Sequence, residues 1–247
     1  MNKLVVAIIL TFITTISWSQ FDSKGEVRSR FRPGTMWYFT GLKPAKVDKV
    51  RKYDRLIFDL TYNDWVGDRG PFQNHWASIG FNTNMMFDIP LAPGNKVALG
   101  IGLAHQLFYI RHNGNLTIND SLGTTMWEPK MNGQEFKKSS LGGNSFSIPI
   151  ELRFRNESWR HFKFHMGGRV GYQTNMFTRT VVPGDHGDLV SKQKGFPDQN
   201  DLLYSAHFRI GLRNWALYGS YNFNNLFKNS QSSQLNLLQI GISISMF

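Results

Sequence analysis

Residues 235–247 read LNLLQIGISISMF, and the phase of this stretch decides the fold. Leu238, Ile240, Ile242, Ile244 and Met246 share one parity, while Gln239, Gly241, Ser243 and Ser245 share the other. A period of two sends alternate side chains to opposite faces of an extended chain, so the segment reads as a strand with one apolar and one polar face. Seven further segments repeat the pattern. RLIFDLTYNDW (55–65) sets Leu56, Phe58, Leu60 and Tyr62 against Ile57, Asp59, Thr61 and Asn63. WASIGFNTNMMFDI (76–89), KVALGIGLAHQLFYI (96–110), SFSIPIELRFR (145–155), FKFHMGGRVGYQTNMF (162–177), LLYSAHFRIGLR (202–213) and WALYGSYNFNN (215–225) each carry an apolar parity and a small, polar or charged one.

The connectors between these eight segments alternate in length. GDRGPFQNH (67–75), the stretch from His112 to Asn144, the stretch from Arg179 to Asp201 and LFKNSQSSQ (226–234) are long. PLAPGN (90–95), NESWRH (156–161) and RN (213–214) are short or intervene between the long ones. Outer-membrane barrels join strands in this rhythm, with short periplasmic turns and longer external loops. An even strand count then predicts both chain ends on the periplasmic side.

Residue type decides which face is outside. A soluble eight-stranded barrel of the lipocalin kind keeps its apolar face inward and covers its outer face with charge. Here the polar parity is rich in glycine, alanine, serine and asparagine with sparse charges of both signs, which suits a cramped polar lumen. The apolar parity carries Leu, Ile, Phe and Tyr, with Tyr109, Phe162 and Trp215 near strand ends where an interfacial girdle is expected. The reading is an all-β chain whose residues 54–247 form an eight-stranded antiparallel up-and-down transmembrane β-barrel against outer-membrane lipid.

At the other end, MNKLVVAIILTFITTISWSQ has one lysine before an apolar run, then Ser17 and Ser19 at the spacing of a signal-peptidase site, so residues 1–19 read as a signal peptide. The run from Leu4 to Ile16 is shorter than the roughly 20 residues a spanning helix needs. The chain has no cysteine, which excludes a lipid-anchored cysteine and a disulfide-stapled fold. Its 41% hydrophobic content and negative mean hydropathy look soluble on average, as a two-faced barrel also does.

The architecture resembles small outer-membrane β-barrels of the OmpA-like and PorT-like kind, on the signal peptide, the eight alternating strands from Leu56 onward and the final Phe247. The resemblance implies insertion by the barrel assembly machinery, which in such barrels reads the last strand and its aromatic end. One departure stands: Phe247 falls in the phase of Ser243 and Ser245. PorT-like barrels include members associated with type IX secretion and gliding.

Several charges fall on the interior parity: Asp59, Glu151, Arg153, Lys163, Arg169 and Arg209, with His165 and His207. An eight-stranded lumen is just wide enough to be filled by side chains, so these should form an ion-pair network. Arginines outnumber acids, so a small pore, if one existed, would prefer anions. No metal or other cofactor is expected: Asp185, His186 and Asp188 in PGDHGDLV match no defined metal spacing, and His161 and His165 share a strand parity but the first falls in the turn. His105 shares the parity of Leu103 and Leu107 and should face lipid, which raises a lipid A-modifying enzyme as an alternative. No serine and acid converge on it in the sequence, and no catalytic set is assigned.

Residues 20–53 form the least barrel-like segment. They hold nine Lys or Arg, a large share of a net charge of +11, and the cluster Met36, Trp37, Tyr38 and Phe39. Arg28, Arg30 and Arg32 beside Trp37, Tyr38 and Phe39 read as a periplasmic arm that docks on the barrel mouth or on a protein partner. Nucleic acid is not a partner in that compartment. The function expected from sequence is a structural or accessory subunit of an envelope complex.

Overall fold

The computed structural model describes residues 54–67, 72–92, 96–119, 121–129, 137–156, 162–184 and 187–246. These form eleven strands: β1 (Leu56–Gly67), β2 (Ile79–Pro90), β3 (Val97–His112), β4 (Gly114–Asn119), β5 (Thr124–Pro129), β6 (Lys138–Arg155), β7 (Phe162–Val182), β8 (Leu189–Lys194), β9 (Leu202–Leu212), β10 (Trp215–Asn222) and β11 (Leu235–Ser245). Residues 1–19, read from sequence as a signal peptide, the basic segment with Arg28, Arg30, Arg32, Trp37, Tyr38 and Phe39, and His161, Asp185, His186 and Phe247 lie outside the described residues.

Eight strands close into a ring. Pairing runs β6–β3–β2–β1–β11–β10–β9–β7, and β6 pairs with β7 to shut it; every contact is antiparallel. Following the registers from Asp59 through Asn82, Gln106 and Ser145 reaches β7 at Gln173. Following them the other way through Ser243, Ala216 and Gly211 reaches β7 at Lys163. The two routes end ten residues apart. That offset is the shear of the wall, and with eight strands it tilts them by about 40° to the axis.

The ring is polar inside and apolar outside. Leu60, Leu103, Leu217 and Ile240 are 57%, 65%, 63% and 58% exposed on the outer face, while Asp59, Glu151, Arg153 and Arg209 are 0% exposed within. A soluble barrel inverts this arrangement; a closed ring with all backbone groups paired and an apolar exterior is the form in which strands cross a bilayer. No helix among the described residues is long and apolar enough to cross a membrane.

All eight segments expected from alternation are strands, but the two longest connectors are not simple loops. The stretch from His112 to Asn144 contains the β4–β5 hairpin and the first, loop-side part of β6, and the stretch from Arg179 to Asp201 contains the end of β7 and β8, which pairs with it. Alternation fails there for identifiable reasons. A bulge that leaves Thr174 unpaired opposite Asn144/Ser145 breaks the phase of β7, residues 139–143 of β6 are all buried, and β8 is exposed at all six positions and so has no apolar face to read. β7 is 21 residues long, about twice what a tilted spanning strand requires, so the sheet continues well past the apolar band at this long-loop end.

An apolar core sits on that extension. Trp65, Phe108, Ile110, Leu141, Met176, Leu235 and Leu237 from the staves pack with Phe72, Leu116, Phe196, Leu226 and Phe227 from the connectors, and with Trp127. The buried Asp198 side chain ties three connectors together: it accepts from Thr125 N at 3.2 Å and Thr125 Oγ1 at 2.5 Å, and from Ser232 Oγ.

Candidate functional site

The lumen is built from inward-facing side chains in layers along the axis. At its centre Arg209 reaches across from β9 to β1, donating from Nε and Nη2 to the two oxygens of Asp59 at 3.1 and 2.9 Å, and from Nη1 to Glu151 on β6. Ser243 and Asn84 add donors to Asp59 at 2.7 and 2.9 Å. His207 Nε2 lies 2.8 Å from Glu151 Oε1, and Arg153 Nε donates to Glu151 Oε2 at 2.9 Å. Arg153 Nη2 is as close to that oxygen, 2.8 Å, but its N–H does not point at it, so Nε makes the hydrogen bond. A Cβ at Gly100 would lie 2.6 Å from Arg153 Nε, which is why the guanidinium has a glycine opposite it.

Below, at the short-turn end, Arg153 Nη1 donates to Asp88 at 2.6 Å, and Arg155 bridges Asp88 at 2.7 Å and Asp54 at 3.2 Å. Lys163 Nζ donates to Asp54 at 3.3 Å and to Ser245 Oγ at 2.7 Å, and His165 Nε2 stands 3.7 Å from Asp54. Above the central layer lies an amide layer. Gln106 donates to Gln239, Gln239 donates to Asn63 at 2.8 Å, and Thr61 donates to Asn63 at 3.0 Å. The apolar core covers this layer. Cross-lumen hydrogen bonds therefore bridge the bore at two levels, and a hydrophobic cap closes one end.

All six sequence-assigned network residues are buried on the inner face, together with His165 and His207, and five of the six stand in ion pairs. Arg169 does not: its one hydrogen bond is from Nη2 to Asn84 Oδ1 at 3.2 Å. Three members were missed in sequence. Asp88 lies on the polar parity of β2 and was legible; Asp54 and Arg155 lie at or beyond strand ends, where parity no longer applies.

Tyr109 faces outward near the upper end of the apolar band, and Phe162 and Trp215 begin β7 and β10 at the opposite rim, 44% and 43% exposed. His105 stands on the outer face with its ring 4.7 Å from that of Phe146. Asp188 pairs with Lys137 at 2.5 Å, and among the described residues no His, Cys, Asp and Glu cluster could hold a metal.

β3 leaves the apolar band after Tyr109, so His112 lies above it, buried in the cap. Trp127 Nε1 donates to its Nδ1 at 3.4 Å, and Phe72 packs on its ring. Burial, only partly offset by a hydrogen bond with the Gly114 backbone, pushes His112 down to about 4. The unfolded chain binds a proton near pH 6.5 that the folded cap refuses, so the cap loses stability as pH falls from about 6.5 to about 4, by up to about 3 kcal/mol. Tryptophan emission should show the cap loosening in that window, and His112→Gln should flatten the titration; an unchanged titration in the variant would assign the transition to other groups.

No family model matches the chain, and no curated protein sequence matches it significantly. Among solved structures it is similar to Ail, the attachment invasion locus protein of Yersinia pestis, at 11% identity and a TM-score of 0.37, covering 77% of this chain and 95% of that one. Neither figure is high enough to carry a family or an activity from one to the other. What the chain itself establishes is a closed, eight-stranded, inside-out β-barrel with a bridged lumen.

Proposed function

We propose that this protein is an outer-membrane β-barrel that does not conduct, and that it serves as a structural or accessory subunit of an envelope complex. One observation carries the reading: the Asp59–Arg209–Glu151–Arg153 chain bridges the bore, while a β extension beyond the apolar band is packed on its own apolar core. Matter has no route through, and the extension gives a partner a rigid surface. Trp76, Leu122, Leu189 and Val190 are exposed on that half of the molecule, at 78%, 63%, 68% and 53%. In this reading the extension faces out of the cell, the arm of residues 20–53 faces the periplasm, and either can hold a partner. The PorT-like resemblance would make the complex one of type IX secretion or gliding.

The experiment is purification of the full chain from native outer membranes in mild detergent. A stoichiometric partner is expected, lost when residues 114–129 or 21–50 are deleted, and planar bilayers containing the protein should stay electrically silent. A barrel that emerges alone, with both deletions harmless to the envelope, overturns the accessory role. Regular single-channel steps that lose anion preference in Arg153→Gln would favour a pore instead. A changed lipid A mass spectrum in His105→Ala would favour the enzyme.

A further inference from the structure

Arg169 is the one lumen cation that stands in no ion pair among the described residues, and the carboxylate whose charge reaches it, Asp59, is already held by the Arg209 fork. Among the described residues the lumen turns in four carboxylates, Asp54, Asp59, Asp88 and Glu151, against five cations. Four of the cations, Arg153, Arg155, Lys163 and Arg209, stand in ion pairs; Arg169 stands in none. It is only 4% exposed, and its Nε and Nη1 have no partner.

The carboxylates nearest it are already engaged. Asp59 accepts four hydrogen bonds, two from Arg209 and one each from Ser243 and Asn84, and a carboxylate has about four lone-pair sites. Glu151 is held by Arg209 and His207 on one oxygen and by Arg153 on the other. A buried guanidinium without a counter-charge is strongly unfavourable, so the fold must supply the missing negative charge by other means.

The surroundings of Arg169 point the same way. Its cross-strand partners are Ser205 on β9 and Pro149 on β6, with Ser147 two residues along β6. His207, two residues along β9, pairs with Ser220 on β10. Ser147 Oγ and Ser220 Oγ are buried without partners, and both hydroxyls are free to rotate their protons inward. His207 donates through Nε2 to Glu151, so its unpartnered Nδ1 carries a lone pair and accepts from a hydroxyl or water. By register, the two hydroxyls share the lumen face with Arg169, between the ion-pair layer and the amide layer.

We propose that the lumen holds one monovalent inorganic anion of chloride size at Arg169, bound through Nε and Nη1 and by the hydroxyls of Ser147 and Ser220. One charge needs compensation, which selects a monovalent ion, and the bridged bore admits nothing much larger. Both ends of the site are covered, so the ion is taken up as the barrel closes.

The test is to unfold and refold the full chain in chloride, bromide or gluconate and to follow heat unfolding by the shift between compact and extended gel forms. Unfolding should be on the order of tenfold slower in either halide than in gluconate, saturating with concentration. Arg169→Met should lose that dependence and Arg169→Lys keep it. Crystals of the wild-type protein refolded in bromide should give an anomalous peak against the Arg169 guanidinium, a result that stands even if Arg169→Met does not fold. Water alone at that position, equal rates in all three salts, or a halide effect that survives in Arg169→Met overturns the proposal.

Discussion

Replacing Glu151 with alanine should cost this barrel about 3–5 kcal/mol, more than any single substitution at its surface, because one carboxylate holds three partners in a bore that excludes bulk water. Arg209, Arg153 and His207 all converge on it, and the side chains of the acid and both arginines are at most 1% exposed. Removing the acid leaves two guanidinium groups in like-charge proximity with no solvent to screen them. Removing Arg209 as well would not restore balance, since Asp59 would then lose the fork that satisfies both its oxygens. The measurement is urea unfolding of the full chain in lipid vesicles, read from tryptophan emission and from heat-modifiable gel migration. The exposed pair Lys137–Asp188, 58% and 44% exposed, is the internal control: Lys137→Ala should change stability by less than about 1 kcal/mol. A Glu151→Ala loss no larger than that control would mean that water, and not the ion-pair chain, fills the centre of the barrel.

Leu103→Arg should be the most damaging substitution on the outer face. Leu103 is 65% exposed near the middle of the outward row of β3, between Ile101 and Leu107. In water an exposed leucine on a strand face is replaced by arginine within about 0.5 kcal/mol either way. In a bilayer the same change places a guanidinium at mid-depth and costs about 2–4 kcal/mol, falling to about 0–1 near the interfaces. Leu99→Arg, nearer the short-turn rim, should therefore cost less than Leu103→Arg when both are unfolded from vesicles. Equal and negligible costs at the two depths would sink the membrane-spanning reading, whatever the lumen does.

The two predictions probe the two faces that alternation separates, and they show how far the sequence carries. In β1 and β11 the phase of leucine, isoleucine and tyrosine against asparagine, serine and aspartate is a local property of a pleated chain, so it survives whatever the rest of the molecule does. The same phase puts Glu151, Arg153, Lys163, Arg169 and Arg209 on the parity that is buried in the structure. It was silent where no face is buried, as in β8, and where a bulge resets the count, as at Thr174 in β7.

By itself, then, the sequence determined the eight staves, which face of each is apolar, and the rhythm of long and short connectors, because each depends on residues close together in the chain. The tertiary structure alone decided which charges meet. Asp59 and Arg209 are 150 residues apart in sequence and face one another only because the wall closes with a shear of ten residues. It also decided that Asp54, Asp88 and Arg155 complete the network, that the connectors fold into a capped extension, and that Arg169 is left without a carboxylate. Parity assigns a side chain to a face; partnership inside a barrel depends on tilt and register summed around the ring, and no local pattern encodes that sum.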